Sequence, residues 1–570
     1  STPKPSSAAS DVYKRQTLTR DIPCRLPMSK EQPQQTGVVT RRDFLGAAAA
    51  TGIITAGAWP AIAQAAATPQ RGGTLNWLVD PEPPLLTAAI QTAGPTRAIG
   101  PKINEGLLDF DFDWTPIPAL ATRWQVSPDG LEYVFTLRRG VKWHDGKPFG
   151  AADVAFSILY LKQNHPNGRG TYANVSEVTT PDSHTVRLKL TAPAPYLLRA
   201  LAANESPILP KHLFDGRDPL SNPAHNAPIG TGPFVFKEWV KGSHILLERN
   251  PDYWDAPRPY VDRIVVKFIA DPAARAAALE SGAVDLAGDS PIPLSDLERF
   301  RQLPHIRLET RGYDYAGDLN QIVFNLDNPY LKHLEVRQAI AHAIDKQAIL
   351  KLIWYGYGEV ASGPIIPAQR TFFDPGLPRY AHDLKKAEAL LDQAGFARGA
   401  DGVRFTLTND FLPYGPNFRR GSEYIRQTLG RVGIRVNIRA QDFPTYIRRV
   451  YNDRDFDFAN AWLGNSFDPT VGVQRLFWSK NFRKGVPFSN GSHYANEQVD
   501  AWFEQAAIEP DPAVRAQLFS RVQHQLVHDL PHLDLVAQKN VTVAHVRVQD
   551  ATTSITGLRG SLSRVWLAPA

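Results

Sequence analysis

Over most of its length the chain alternates between two hydrophobic periods, and turn residues mark where one gives way to the other. After the turn Ser127-Pro128-Asp129-Gly130, Tyr133, Phe135 and Leu137 alternate with more polar neighbours, which predicts a half-buried strand. Val186, Leu188 and Leu190 repeat that period after His184. Phe234 and Phe236 lead through Lys241-Gly242 to Ile245 and Leu247, the pattern of a hairpin, and Leu75 to Val79 reads as the first strand. Helical periods fall between these runs. Asp271-Pro272 supplies an N-cap and a first-turn proline for an Ala-rich helix that Ser281-Gly282 stops. Val336, Ile340, Ala343 and Ile344 mark one face of a second helix. Asp383 caps a third, whose Ala387, Leu390, Leu391 and Ala394 face inward before Gly395 ends it. No low-complexity linker or internal repeat interrupts the series, so the class is mixed α/β.

Length changes this picture first, because 570 residues exceed one compact core and require two or three lobes. The formal charge of +6 does not point to nucleic acid. Residues 1–63 hold eight Lys/Arg against four Asp/Glu, which leaves +2 for the rest and no clustered basic face. Thr40-Arg41-Arg42-Asp43-Phe44-Leu45-Gly46 precedes a mildly apolar stretch from Ala47 to Trp59 and the small-residue run Pro60-Ala61-Ile62-Ala63. That order resembles a twin-arginine export signal cleaved after Ala63 or Ala67. The stretch is too rich in Ala, Gly and Thr to be a spanning helix, which needs about 20 strongly apolar residues. Met28 is the only methionine and stands where a leader of ordinary length would start, so residues 1–27 read as non-native and 28–67 as the signal peptide. Cys24, the only cysteine, lies upstream of the expected cleavage. The mature chain is then expected to lack disulfides, thiolate metal sites and a lipid-bearing cysteine, as a soluble periplasmic protein would.

The strongest local signal runs from Ser127 to Ser157, through Gly140-Val141-Lys142-Trp143-His144-Asp145-Gly146-Lys147-Pro148-Phe149 and Asp153-Val154-Ala155-Phe156-Ser157. Gly230-Thr231-Gly232-Pro233-Phe234, Arg249-Asn250-Pro251-Asp252-Tyr253-Trp254, Phe324-Asn325-Leu326, Val336-Arg337-Gln338-Ala339-Ile340, Ala394-Gly395-Phe396 and Tyr494-Ala495-Asn496-Glu497-Gln498-Val499-Asp500 follow in order. This series resembles the family 5 extracellular solute-binding proteins, the peptide, nickel and opine binders of ABC importers, from about Gly72 to the C-terminus. The resemblance implies a two-lobed periplasmic-binding-protein fold of the large type, with an extra subdomain in the first lobe. Lobe I is expected over 68–324 with the inserted subdomain at about 113–225, lobe II over 325–529, and a return to lobe I over 530–570. The first crossing is expected near Gln321 to Leu326 and the return near Leu530 to Leu535. A ligand touching both lobes would favour the closed state by its differential affinity.

The same resemblance locates candidate ligand chemistry. In peptide-binding relatives a tryptophan-containing strand ends in an aspartate that pairs with the peptide's terminal ammonium. The matching stretch here is Ala461-Trp462-Leu463-Gly464-Asn465, followed by Asp468, and Asn465 takes the aspartate's place. A charge-assisted bond contributes about 1.5–3 kcal/mol against about 1 for a neutral one, so α-ammonium capture should weaken ten-fold or more. Glu82, after the first strand, is expected to line the cleft, and Trp354 and Tyr355 are expected near the lobe boundary. The expected ligand is a peptide or peptide-like polar molecule, with an oligosaccharide, an opine or a metal chelate as alternatives. The expected partner is an ABC permease, and the protein is read as monomeric, without cofactor, directly bound metal or nucleic acid. An exported enzyme is the rival class, and an exported chaperone a third. His144-Asp145 could suggest a catalytic pair, but adjacent residues point apart and these sit in a turn motif. No His-Glu-x-x-His, Gly-x-Ser-x-Gly or Gly-x-x-x-x-Gly-Lys-Ser/Thr occurs.

Overall fold

The computed structural model describes residues 68–569. The arginine pair, the apolar stretch and both expected cleavage positions lie outside the described residues, as do residues 1–27. The local expectations are met where chemistry is local. Asp129 accepts hydrogen bonds from the Ser127 hydroxyl and the Leu131 N–H, and Gly130 takes φ 69° to close the turn. In the strand Glu132–Leu137, Tyr133, Phe135 and Leu137 are the buried positions. Asp271 caps Pro272–Glu280 by accepting from the Ala274 N–H, and Asp383 caps Leu384–Gln393 by accepting from the Lys386 N–H. The helix Leu334–Ala343 buries Arg337 as well as its apolar face, because Arg337 donates to the backbone carbonyls of Leu331, Lys332 and Asp529.

Three larger sheets organise the described residues, beside two of two strands each. A seven-stranded sheet has the order Ile306–Glu309, Thr542–His545, Leu286–Ala287, Thr74–Leu78, Arg263–Lys267, His244–Arg249, Phe234–Val240. Its centre is parallel, Leu75 opposite Ile264 and Trp77 opposite both Val266 and Leu286. A four-stranded antiparallel sheet from Ala121–Val126 to Thr185–Leu190 interrupts it in sequence and packs its own core, in which Phe135, Trp143, Val154 and Leu188 are buried. The third sheet has six strands in the order Gly358–Val360, His532–Gln538, Asp318–Phe324, Phe458–Gly464, Phe405–Phe411, Ile434–Arg439.

The chain passes between the large sheets twice. It leaves the seven-stranded sheet after Glu309 and joins the six-stranded one at Asp318, and it returns between Gln538 and Thr542. Both transfers fall outside the regular strands, which keep their ladder hydrogen bonds on either side. Phe467 and Tyr315 then join the buried core of the four-stranded sheet and the partly buried Val471 packs against it, so the lobes meet along an apolar seam.

Candidate ligand site between the lobes

The seam is built from the ends of strands. Asp318 stands opposite Gly464, and beyond that pair the Asn465 N–H donates to the Gly317 carbonyl and the Ser466 N–H to that of Ala316, both at 2.8 Å. The loop from Asn465 is folded back so tightly that a Cβ at Gly472 would lie 1.6 Å from the Asn465 carbonyl oxygen, which leaves room only for glycine. This places Phe467 5.8 Å from the ring of Tyr315, which in turn stacks on Trp114 at 5.7 Å and 23°. Trp114 sits at the tip of a turn fastened by the Asp111 carboxylate, which accepts from the N–H groups of Asp113 and Thr115. Its φ of 66° is a conformation that bulky side chains seldom adopt. From there its indole N–H reaches the Ala368 carbonyl of the other lobe at 3.4 Å.

Charged groups line both sides of this aromatic column. On the six-stranded lobe, Asp468 and Arg515 form a buried bidentate pair at 2.8 and 2.5 Å, and Arg515 also donates to Thr470 Oγ1 and the Ala506 carbonyl. Burial by itself would raise Asp468, but Arg515 outweighs it and holds the carboxyl below its ordinary range. On the other lobe Arg97 pairs with Glu205, whose second oxygen accepts from Asn167 at 2.5 Å. The Tyr172 hydroxyl donates to Ser206 at 2.7 Å, and burial raises the phenol well above its usual range. Burial also pushes the nearby His165 imidazole down to about 4, and its Nε2 has no hydrogen-bond partner. Arg475 enters from the opposite lobe within electrostatic reach of Glu205, donating to the carbonyls of Gly464 and Gly472.

Only part of the candidate set from sequence gathers here. Trp462 is half-buried and meets Phe488 edge to face at 5.8 Å. Leu463 is instead core, because alternation along Phe458–Gly464 turns it to the opposite face, among Leu319 and Phe477. Asn465 is fully buried, and its amide is spent on one segment: Oδ1 accepts from the Ile366 N–H and Nδ2 donates to the Pro364 carbonyl. Asp468 reaches the seam, already paired with Arg515. Glu82 is turned away, accepting from the Trp239 indole N–H at 2.8 Å and the Gly242 N–H, so it anchors the hairpin that follows Phe234. Trp354 is core too, against Phe418, with its N–H directed at Asn320. Tyr355 is exposed in a surface recess of about 240 Å³ lined by Leu294, Glu298 and Arg301.

Trp114, Arg199, Tyr315, Phe372 and Arg475 were absent from the sequence candidates. An arginine inside the apolar run Tyr196 to Leu201 was the one available signal, since charged residues are seldom placed in such runs without a partner. No group of three or more His, Cys, Asp or Glu side chains is arranged to hold a metal among the described residues. None of their helices is long and apolar enough to cross a membrane.

Residues 115–484 match the model of the bacterial extracellular solute-binding proteins, family 5. The chain belongs to that family. It is 29% identical over 503 residues to the dipeptide-binding protein of Escherichia coli K12, covering 84% of this chain and 92% of that one. NikZ from Campylobacter jejuni in complex with Ni(L-His) superposes with a TM-score of 0.74 at 26% identity, over 84% of this chain and 95% of its own. The ABC transporter-associated periplasmic binding protein DppA from Helicobacter pylori, in complex with the peptide STSA, gives 0.74 at 26% identity over 88% and 99%. The two-lobed α/β architecture and the role of solute-binding component of an ABC importer follow from this membership.

Proposed function

We propose that this family 5 member captures a peptide-like polar ligand in the seam between its lobes and presents the closed form to an ABC permease. The observation that carries the reading is the crossing of Trp114, Tyr315 and Phe467, which makes a single surface from two lobes joined by two transfers of the chain. A ligand seated there contacts both lobes and stabilises the closed arrangement by its differential affinity. Relatives bound to a peptide and to a nickel–histidine chelate support an amino-acid-derived ligand. Asn465, occupied by Pro364 and Ile366, offers no carboxylate to an α-ammonium, which favours ligands read at another group. The protein is further proposed to leave the cytoplasm by the twin-arginine route, to act as a monomer in the periplasm, and to bind without turnover.

The test is thermal unfolding of the full chain against free dipeptides, tetrapeptides, opine-type carboxylates, neutral oligosaccharides and nickel–histidine. Stabilisation following RT ln(1 + [L]/Kd) is expected for peptides or opine-type compounds, with the ligand recovered intact. Stabilisation by oligosaccharides alone, or conversion of the bound compound, overturns the reading.

A further inference from the structure

Arg199 stands apart from every other charged group in the seam. It lies half-buried in the first lobe, with its guanidinium 4.9 Å from the Trp114 ring centroid and 5.5 Å from that of Phe372 in the second lobe. Its backbone is fixed, since the Arg199 carbonyl accepts from the Tyr315 hydroxyl at 2.6 Å. Yet among the described residues the guanidinium donates no hydrogen bond and makes no ion pair. A cation between two aromatic rings gains about 0.5–2 kcal/mol, and burial lowers the Arg199 pKa from its ordinary value, so the half-buried guanidinium is partly desolvated while its N–H donors have no protein acceptor. Asp468 is close enough to feel the charge and has already committed both oxygens to Arg515.

We propose that Arg199 is the ligand's carboxylate clamp, a fork of N–H donors held between Trp114 and Phe372. The proposal rests on the seam being the capture site and names the class of ligand it takes, a molecule with a free carboxylate. Guanidinium and carboxylate match as a planar bidentate pair, which an ammonium cannot reproduce. Because Phe372 comes from the second lobe, the clamp is complete only when the lobes meet. Carboxylate recognition and closure are thereby one event.

The experiment uses the full chain, the dipeptide and opine-type probes above, the same dipeptides as C-terminal amides, and the variants R199M and R199K. Free-acid probes are expected to bind at least ten-fold more tightly than their amides. R199M is expected to lose at least ten-fold in affinity for the free acid, to bind the amide unchanged, and to unfold at the wild-type temperature or above in the absence of ligand. R199K is expected to fall between R199M and wild type. A clear drop in the melting temperature of ligand-free R199M assigns Arg199 to the scaffold and overturns the clamp. Equal binding of acid and amide by the wild type overturns the clamp and leaves the seam as capture site. Failure of every peptide and opine probe on the wild type itself overturns the ligand reading and the clamp together, and is distinguished by needing no variant.

Discussion

Two guanidinium groups approach the ring of Phe372, Arg515 at 4.9 Å and Arg199 at 5.5 Å, and they are treated in opposite ways. Arg515 is enclosed, doubly bonded to Asp468, and satisfied at its remaining donors by Thr470 and Ala506. Arg199 has the aromatic walls and none of the acceptors. The difference separates scaffold from site. A buried charge whose bonds are closed within its own lobe fixes the loop that bears Phe467. A cation placed where two lobes meet, with its donors open, keeps its interaction energy for whatever enters the seam.

The largest expected effect falls on the closed pair. Asp468→Ala leaves Arg515 buried and unpaired and should lower unfolding free energy by about 3–5 kcal/mol in a urea titration. A loss below about 1 kcal/mol would show that the two arginines are held alike. Next is Asn465→Asp, which turns a carboxylate oxygen towards the Pro364 carbonyl and should cost about 1–3 kcal/mol by the same assay. If that variant instead kept its stability and gained affinity for dipeptides, Asn465 would belong with Arg199 among the open groups.

The effect that is smallest near neutral pH concerns His165, whose imidazole is held near 4 by burial against an ordinary 6.5. Between those values the unfolded chain takes up a proton that the folded chain refuses. Stability therefore falls as pH drops from about 6.5 towards 4 and is fully present above that window. His165→Gln should flatten the dependence by at most about 1.4 kcal/mol per pH unit, read from urea midpoints across the range. His144, also held near 4, and His532, held near 3, keep the remaining slope. An unchanged slope in the variant would mean that His165 is solvated.

The elements were legible because their causes are local. Asp129 and Gly130 close a turn, Asp271 and Asp383 cap helices, and the period of Tyr133, Phe135 and Leu137 turns one face inward whatever lies beyond it. The same reasoning, applied strictly, separates Trp462 from Leu463, since neighbours in a strand face opposite ways. The site was less legible. Asn465 follows a recognisable strand, yet its amide is taken by Pro364 and Ile366, about a hundred residues earlier in the chain. Glu82 follows the first strand as expected and is then claimed by Trp239 and Gly242.

The sequence by itself determined the succession of strands and helices and, through a long series of ordered motifs, the family. It did so because turn, cap and periodicity are settled within a few residues. Only the tertiary structure decided which polar groups are spent and which remain open, since that depends on partners brought together from 114, 199, 372, 468 and 515. A hydrogen bond closed across such distances in the chain leaves no mark on the local pattern, and the open guanidinium of Arg199 is visible only once every other acceptor has been placed.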